Sequence, residues 1–145
     1  MMISRPDLSY AVGLVSQFMQ LPRKPHLDAV RRILRYVRAT LDYTLFYDAG
    51  TRVHVHGYTD SDWVGSSSDR RFTNGYMFSF GSPAVTWSSK KQSTVALSSI
   101  EVEYGGAAIA AYEVAWLEML LRDLEIQVQD PVVIYCDNLN SIQLA

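Results

Sequence analysis

The feature that most constrains this chain is a long helical repeat set between two β-patterned stretches. Ile100, Tyr104, Ala107, Ala111, Val114, Leu117, Leu121 and Leu124 trace one face at three-and-four spacing. Ser98 stands ahead of them with Glu101 three residues on, the spacing of a capping box. Beyond Asp130-Pro131, the run Val132-Val133-Ile134-Tyr135-Cys136 reads as a short strand of the buried, parallel kind. On the other side, Val53 to Asp60 alternates and is rich in β-formers. Asn74-Gly75 reads as a turn into a strand over Tyr76 to Phe80, and Gly81-Ser82-Pro83 leads to a third over Ala84 to Trp87. Short connections make these three strands an antiparallel meander. A long helix between that meander and a parallel strand is a crossover, expected to be right-handed. The expected fold is therefore α/β, a mixed sheet of three antiparallel strands, a crossover helix and a parallel strand. Asp137-Asn138 would cap a helix that follows.

Two helices are expected ahead of this unit. Tyr10, Leu14, Phe18 and Leu21 recur at helical spacing until Pro22 stops the run. A second helix follows Pro25, with Leu27, Val30, Ile33, Leu34, Val37 and Leu41 on one side. Arg31, Arg35 and Arg38 form a basic stripe on its other side. Thr44 to Tyr47 then runs into the turn cluster Asp48-Ala49-Gly50. The division falls between a helical segment, 1–48, and an α/β unit, 49–145.

Length and composition exclude several classes. A chain of 145 residues with 48% apolar and 19% charged residues is long enough for one core and is not of disordered composition. Its single cysteine, Cys136, forms no internal disulfide, so a reducing compartment, cytoplasm or nucleus, is expected. Met1 to Tyr10 holds Arg5, Pro6 and Asp7 and does not read as a signal peptide, and no window is apolar enough to cross a bilayer. A net charge of −2 argues against a protein that coats nucleic acid, so any such binding comes from local basic patches.

Three carboxylates stand where α/β sheets place their ligands. Asp60 ends the first long strand and Asp137 follows the last one, both at strand C-termini. Glu103 opens the long helix. At about 100° per residue it falls within the arc of Ile100, Ala107 and Val114, whereas Glu101 points about 160° away as a capping residue. Convergent carboxylates repel unless a cation lies between them, and hard oxygen donors suit Mg²⁺ or Mn²⁺. Two such ions can clamp the attacking and leaving oxygens of a phosphoryl displacement. Spacing alone also allows a plainer account: Asp60 in a turn, Asp137 or Asn138 as a helix cap, Glu103 as a favourable charge at a helix start.

Longer motifs carry a resemblance. Tyr58-Thr59-Asp60-Ser61-Asp62-Trp63, Ser89 to Ser99, Glu101-Val102-Glu103-Tyr104 and Tyr135-Cys136-Asp137-Asn138 together resemble the ribonuclease H domain of the copia-type retrotransposon polyprotein, in order and spacing. Arg5 to Val12 and His26 to Tyr47 resemble the end of its reverse transcriptase and the connecting segment. The resemblance implies a ribonuclease H-like fold and a metal-dependent endonuclease that cuts the RNA strand of RNA–DNA hybrids. It implies Asp60, Glu103 and Asp137 as ligands of a two-metal Mg²⁺ or Mn²⁺ site with an activated water as nucleophile. The partners it implies are the hybrid and the rest of the polyprotein, with no membrane. It further implies a fifth strand, a final helix and a fourth acid beyond Ala145. With three of four acids present the expected turnover is weak or absent, leaving a nucleic-acid-binding remnant as the alternative. The polymerase aspartates are absent, so no reverse transcription is expected. Gly105-Gly106 stands where the family places better helix formers. Two helical glycines cost about 1 kcal/mol each, and they are expected to loosen Glu103.

Arg70, Arg71, Lys90 and Lys91 are candidates for phosphate contacts, or equally for a solvated loop and turn. Ser98, Ser99 and Asn138 are candidates for 2′-hydroxyl contacts, although capping accounts for all three. His54 and His56 lack a third soft ligand for a metal. Trp63, Trp87 and Trp116 read as core, and Cys136 as a buried strand residue. Arg32-Ile33-Leu34-Arg35 matches the Arg-x-Leu-Arg pattern of secreted effectors, a four-residue match inside an amphipathic helix.

Overall fold

The computed structural model describes residues 4–48, 54–62, 71–128 and 130–137. The chain divides into two compact units, Met1–Phe46 and Tyr47–Ala145.

The first unit is a pair of helices. α1 spans Pro6–Ser16, with proline in its first turn, where the missing N–H costs nothing. It ends well short of Leu21. The Ser16 hydroxyl donates to the Val12 carbonyl at 2.7 Å, and Phe18 and Met19 donate to Val15 and Ser16 in a tightened last turn. Phe18 therefore leaves the helix and stacks on His26, with ring centroids 3.9 Å apart. His26 Nδ1 in turn accepts from the Arg23 N–H at 3.1 Å, which starts α2, Lys24–Ala39. Arg5 ties the far ends together. Its guanidinium donates to Asp7 at 2.7 and 3.0 Å and to the Thr40 hydroxyl at 2.8 Å, and its carbon lies 5.8 Å from the Tyr36 ring centroid. The hydrogen bond from Arg5 holds the Asp7 carboxyl below its ordinary range. Most of the apolar side of α2, including Leu27 and Leu34, is exposed.

The second unit is a sheet with one helix on it. Strands β1 (Val55–Asp62), β2 (Arg71–Phe80), β3 (Ala84–Val95) and β4 (Val133–Cys136) lie in the order β3-β2-β1-β4. β1 pairs antiparallel with β2, β2 antiparallel with β3, and β4 parallel with β1 after the crossover helix α3, Ser99–Asp123. This is the expected α/β mixed sheet, with two local differences. Asn74-Gly75 is no turn: it lies inside β2, opposite Ser61 and Asp60. Both ladders hold it there, so β2 and β3 run longer than turn chemistry suggested and Lys90 and Lys91 are strand residues. β4 is buried on one face only. Ile134 packs on the core, while Val133 and Tyr135 are exposed.

The core lies between one sheet face and α3. Val55 and Phe78 meet Ala110, Leu117 and Leu121, and Phe72, Ala96 and Val102 form a second cluster near the helix start. The buried line of α3, through Val102, Gly106, Ala110, Leu117 and Leu121, is rotated from the expected face, so Ile100, Tyr104 and Leu124 are exposed. Small residues set this rotation, because Gly106 and Ala110 let the helix approach the sheet closely. Glu113 fixes it further by accepting from the Tyr76 hydroxyl at 3.1 Å and the Thr86 hydroxyl at 2.7 Å. α3 stops in a turn that has Glu125 at φ 60°, where glycine is usual, and the Ile126 N–H reaches back to Leu121 O at 2.9 Å. Trp116, expected in the core, is exposed, and Trp87 is half-buried. Trp63 lies outside the described residues. No helix among the described residues is long and apolar enough to cross a membrane.

Candidate metal centre

The centre is built where β1, β4 and the start of α3 meet. Along β1, Val55, Gly57, Thr59 and Ser61 are buried, and their alternation with exposed Tyr58, Asp60 and Asp62 divides the strand between two faces. The parallel register sets Gly57 beside Ile134, Tyr58 beside Tyr135 and Thr59 beside Cys136. Paired residues share a face, so Cys136 joins Thr59 on the α3 side. Tyr58 and Tyr135 stack on the other side, with centroids 5.2 Å apart. Asp60 and Asp137 each follow the last pair of the β1–β4 ladder, but Asp60 does not end its strand as expected, because pairing with β2 carries β1 on to Asp62.

The helix supplies the third carboxylate. The Ser98 hydroxyl caps α3 by accepting from the Glu101 N–H at 3.2 Å. The Glu101 carboxylate accepts from the Leu97 N–H at 2.8 Å, one residue earlier than in a regular capping box. Glu101 is exposed and Glu103 is half-buried against the sheet, about 200° further round the helix. The Cys136 thiol donates to Glu103 Oε2 at 3.9 Å, and Glu103, Cys136 and Asp137 each offer a ligand atom within 4.8 Å of the other two. Asp60 is not a member of this group. It is exposed on the sheet face opposite Thr59.

Of the pair Gly105-Gly106, the second has a packing role that helix propensity alone does not show. A methyl group at Gly106 would collide with the Ser61 hydroxyl and lie 3.5 Å from Thr59 Oγ1, so the glycine lets α3 seat on β1 one turn after Glu103. Ser61 is itself held, because its hydroxyl donates to Asn74 Oδ1 at 2.8 Å in a buried bond. Gly57 serves the same sheet from below Phe78, whose ring occupies the space a Cβ would need.

The remaining candidates gather at the same end of the sheet. Asp62, Thr73 and Lys91 form one row across three strands, and Ser61, Asn74 and Lys90 the next. Arg71 opens β2 opposite Val95, exposed, as is Lys90, while Lys91 is half-buried. Ser98 is the helix cap and Ser99 the exposed first residue of α3. Arg70 and Asn138 lie outside the described residues. His54 and His56 stay apart from the carboxylates. Their rings stack on each other at 5.8 Å, and His54 Nδ1 lies 3.8 Å from Asp130 Oδ2. Sequence reasoning missed Cys136 as a neighbour of Glu103, and the Ser61–Asn74 bond. The first was legible in principle, because Cys136 directly precedes Asp137. The second was hidden by the turn signal of Asn74-Gly75.

Comparison with known proteins adds relatives. Over 141 residues, 97% of this chain, it is 44% identical to the retrovirus-related Pol polyprotein from transposon RE2 of Arabidopsis thaliana, covering 10% of that protein. Over its full 145 residues it is 41% identical to the retrovirus-related Pol polyprotein from transposon TNT 1-94 of Nicotiana tabacum, covering 11% of that protein. Over 122 residues, 84% of this chain, it is 43% identical to Secreted RxLR effector protein 161 of Plasmopara viticola, covering 86% of that protein. The chain thus spans about a tenth of the length of the Pol polyproteins it matches. No family model matches it. No solved structure matches it.

Proposed function

This chain belongs to the copia-type, retrovirus-related Pol polyproteins of transposons, and on that premise we propose that it is their ribonuclease H part, a divalent-metal endonuclease acting on the RNA strand of RNA–DNA hybrids. The observation that carries the reading is the approach of Glu103 and Asp137, from a helix start and a strand end, to within 4.8 Å of each other. Two carboxylates 34 positions apart in sequence meet there, and an unscreened pair would repel.

The donor set fits a hard cation. Glu103 and Asp137 offer oxygens to Mg²⁺ or Mn²⁺, and Asp60, on β1 and outside the Glu103–Cys136–Asp137 group, is the third ligand that the family resemblance assigns. The Cys136 thiol is a soft donor that such ions leave alone. Bound there, the ions would polarise the scissile phosphate and lower the pKa of an attacking water. The protein's own contribution is position. Ser98 and Glu101 fix the helix start, Gly106 seats it on β1, and the β1–β4 register brings Cys136, the residue before Asp137, beside Thr59. Arg71, Lys90, Lys91, Ser98 and Ser99, with Arg70 and Asn138, are the groups proposed to meet the hybrid's backbone.

The reading is tested by Mn²⁺ titration followed by electron paramagnetic resonance of the free ion. Glu103→Gln and Asp137→Asn should each weaken binding at least tenfold in a chain of unchanged far-UV spectrum. Equal uptake by wild type and both variants would sink the proposed centre.

The identity to a protein named a secreted effector favours a second reading, built on Arg32-Ile33-Leu34-Arg35. Those residues lie in mid-α2, with Arg32, Leu34 and Arg35 exposed and Ile33 half-buried. Secretion of a tagged full-length product would be needed to support it.

A further inference from the structure

The most strongly charged surface of the first unit is one side of α2. In its 16 residues the helix carries Lys24, Arg31, Arg32, Arg35 and Arg38 against one acid, Asp28, and all six are exposed. At about 100° per residue, Lys24, Arg31, Arg35 and Arg38 fall within an arc of about 60°. The rise of about 1.5 Å per residue stretches them over about 21 Å. Arg31 and Arg35, and Arg35 and Arg38, are like-charged neighbours one turn apart, which weakens an isolated helix. Asp28 relieves only one of them, through an exposed ion pair to Arg31 at 3.1 Å. A face that served only solvation would be better built from alternating signs. In a chain whose net charge is −2, this is a local reversal with a direction.

We infer that this face of α2 is a track for the phosphate backbone of a nucleic-acid duplex. A duplex strand carries one phosphate per about 3.4 Å of axis, so about six phosphates pass over a 21 Å track and can meet its four aligned cations. Arginine makes up three of those four, and its planar fork matches phosphate oxygens in pairs. The contacts read charge and spacing, so binding should be strong at low salt and indifferent to sequence. An anionic membrane is the other polyanion an amphipathic helix can meet. There the cations would flank the apolar face on both sides, whereas in α2 the residues next beyond Ile33 are Ala29, Tyr36 and Pro25, and four of the five cations lie on the Leu27 side. The inference rests on reading the chain as one that works on nucleic acid, not on whether it cuts.

The test is fluorescence polarisation with a labelled RNA–DNA hybrid, in EDTA and over a salt series, so that loss of cleavage cannot imitate loss of binding. Two triple variants at Arg31, Arg35 and Arg38 are compared with wild type, one to Gln and one to Lys, with far-UV circular dichroism on each. The Gln variant should bind at least tenfold more weakly at low salt. Its log–log salt slope should be shallower by about two to three, while the Lys variant keeps the slope, because counterion release counts charge. An unchanged slope in a folded Gln variant overturns the inference. So does a Gln variant that loses binding to phosphatidylserine vesicles while its hybrid binding stays at the wild-type level.

Discussion

The adjacent glycines of α3 should respond to alanine with opposite signs. Each substitution gains about 1 kcal/mol of helix propensity. At Gly105 the new methyl would sit 3.8 Å from the Phe72 ring, an ordinary contact, so the gain is kept. At Gly106 it would strike the Ser61 hydroxyl. Either α3 moves off β1, an overpacking cost of about 1–3 kcal/mol, or Ser61 rotates and breaks its buried bond to Asn74, costing about 1–3 kcal/mol for the group left unpaired. The net for Gly106→Ala is a loss of up to about 2 kcal/mol. With a urea slope of about 1–2 kcal/mol per M, 1 kcal/mol moves the midpoint by about 0.5–1 M. Urea unfolding followed by tryptophan fluorescence should therefore place Gly105→Ala above wild type and Gly106→Ala below it. Adding Ser61→Ala to Gly106→Ala should recover part of the loss, since the next contacts are then at 3.5 Å. Midpoints that shift the same way for both glycines would refute the seating of α3 on β1.

Other consequences follow from single contacts. Gly57→Ala drives a methyl into the ring of fully buried Phe78 and should cost about 1–3 kcal/mol in the same urea assay. Glu113→Ala leaves the hydroxyls of Tyr76 and Thr86 without their α3 acceptor, a loss of about 1–3 kcal/mol by thermal unfolding. Tyr76 is held above the usual phenol range, first by burial and then by the charge of Glu113. An ultraviolet pH titration of Glu113→Ala should therefore show that phenol ionising at lower pH than in wild type. Asp7 is a depressed carboxylate, so it stabilises the α1–α2 pair above the ordinary aspartate range, and that contribution disappears as pH falls through its lowered pKa. Asp7→Asn should remove this acid limb from the circular dichroism of the pair.

The sheet's connectivity was readable because it depends on long-range alternation and one long helical period, from Val53 to Cys136. Glu103, rather than Glu101, lay toward the sheet on the helical wheel, and the structure has the same orientation. What stayed hidden depends on close approach. Asn74-Gly75 carries the chemistry of a turn, yet pairing on both sides holds it extended, and no local signal reports those neighbours. Gly106 read only as a weakness because helix propensity considers a helix alone, and its packing role depends on Ser61 across the interface. The rotation of the α3 face has the same origin, since glycine and alanine carry almost no hydrophobic weight in a periodicity count. α1 ended early through the Ser16 back-bond and the Phe18–His26 stack, neither of which the spacing of Tyr10, Leu14, Phe18 and Leu21 reveals.

The most direct test of the proposed nuclease is cleavage of an end-labelled RNA–DNA hybrid with Mg²⁺ or Mn²⁺, wild type against Asp60→Asn. Metal-dependent cutting confined to the RNA strand, and lost in the variant, is the predicted result. A folded wild type that leaves the hybrid whole, or a variant that cuts as fast as wild type, would contradict it.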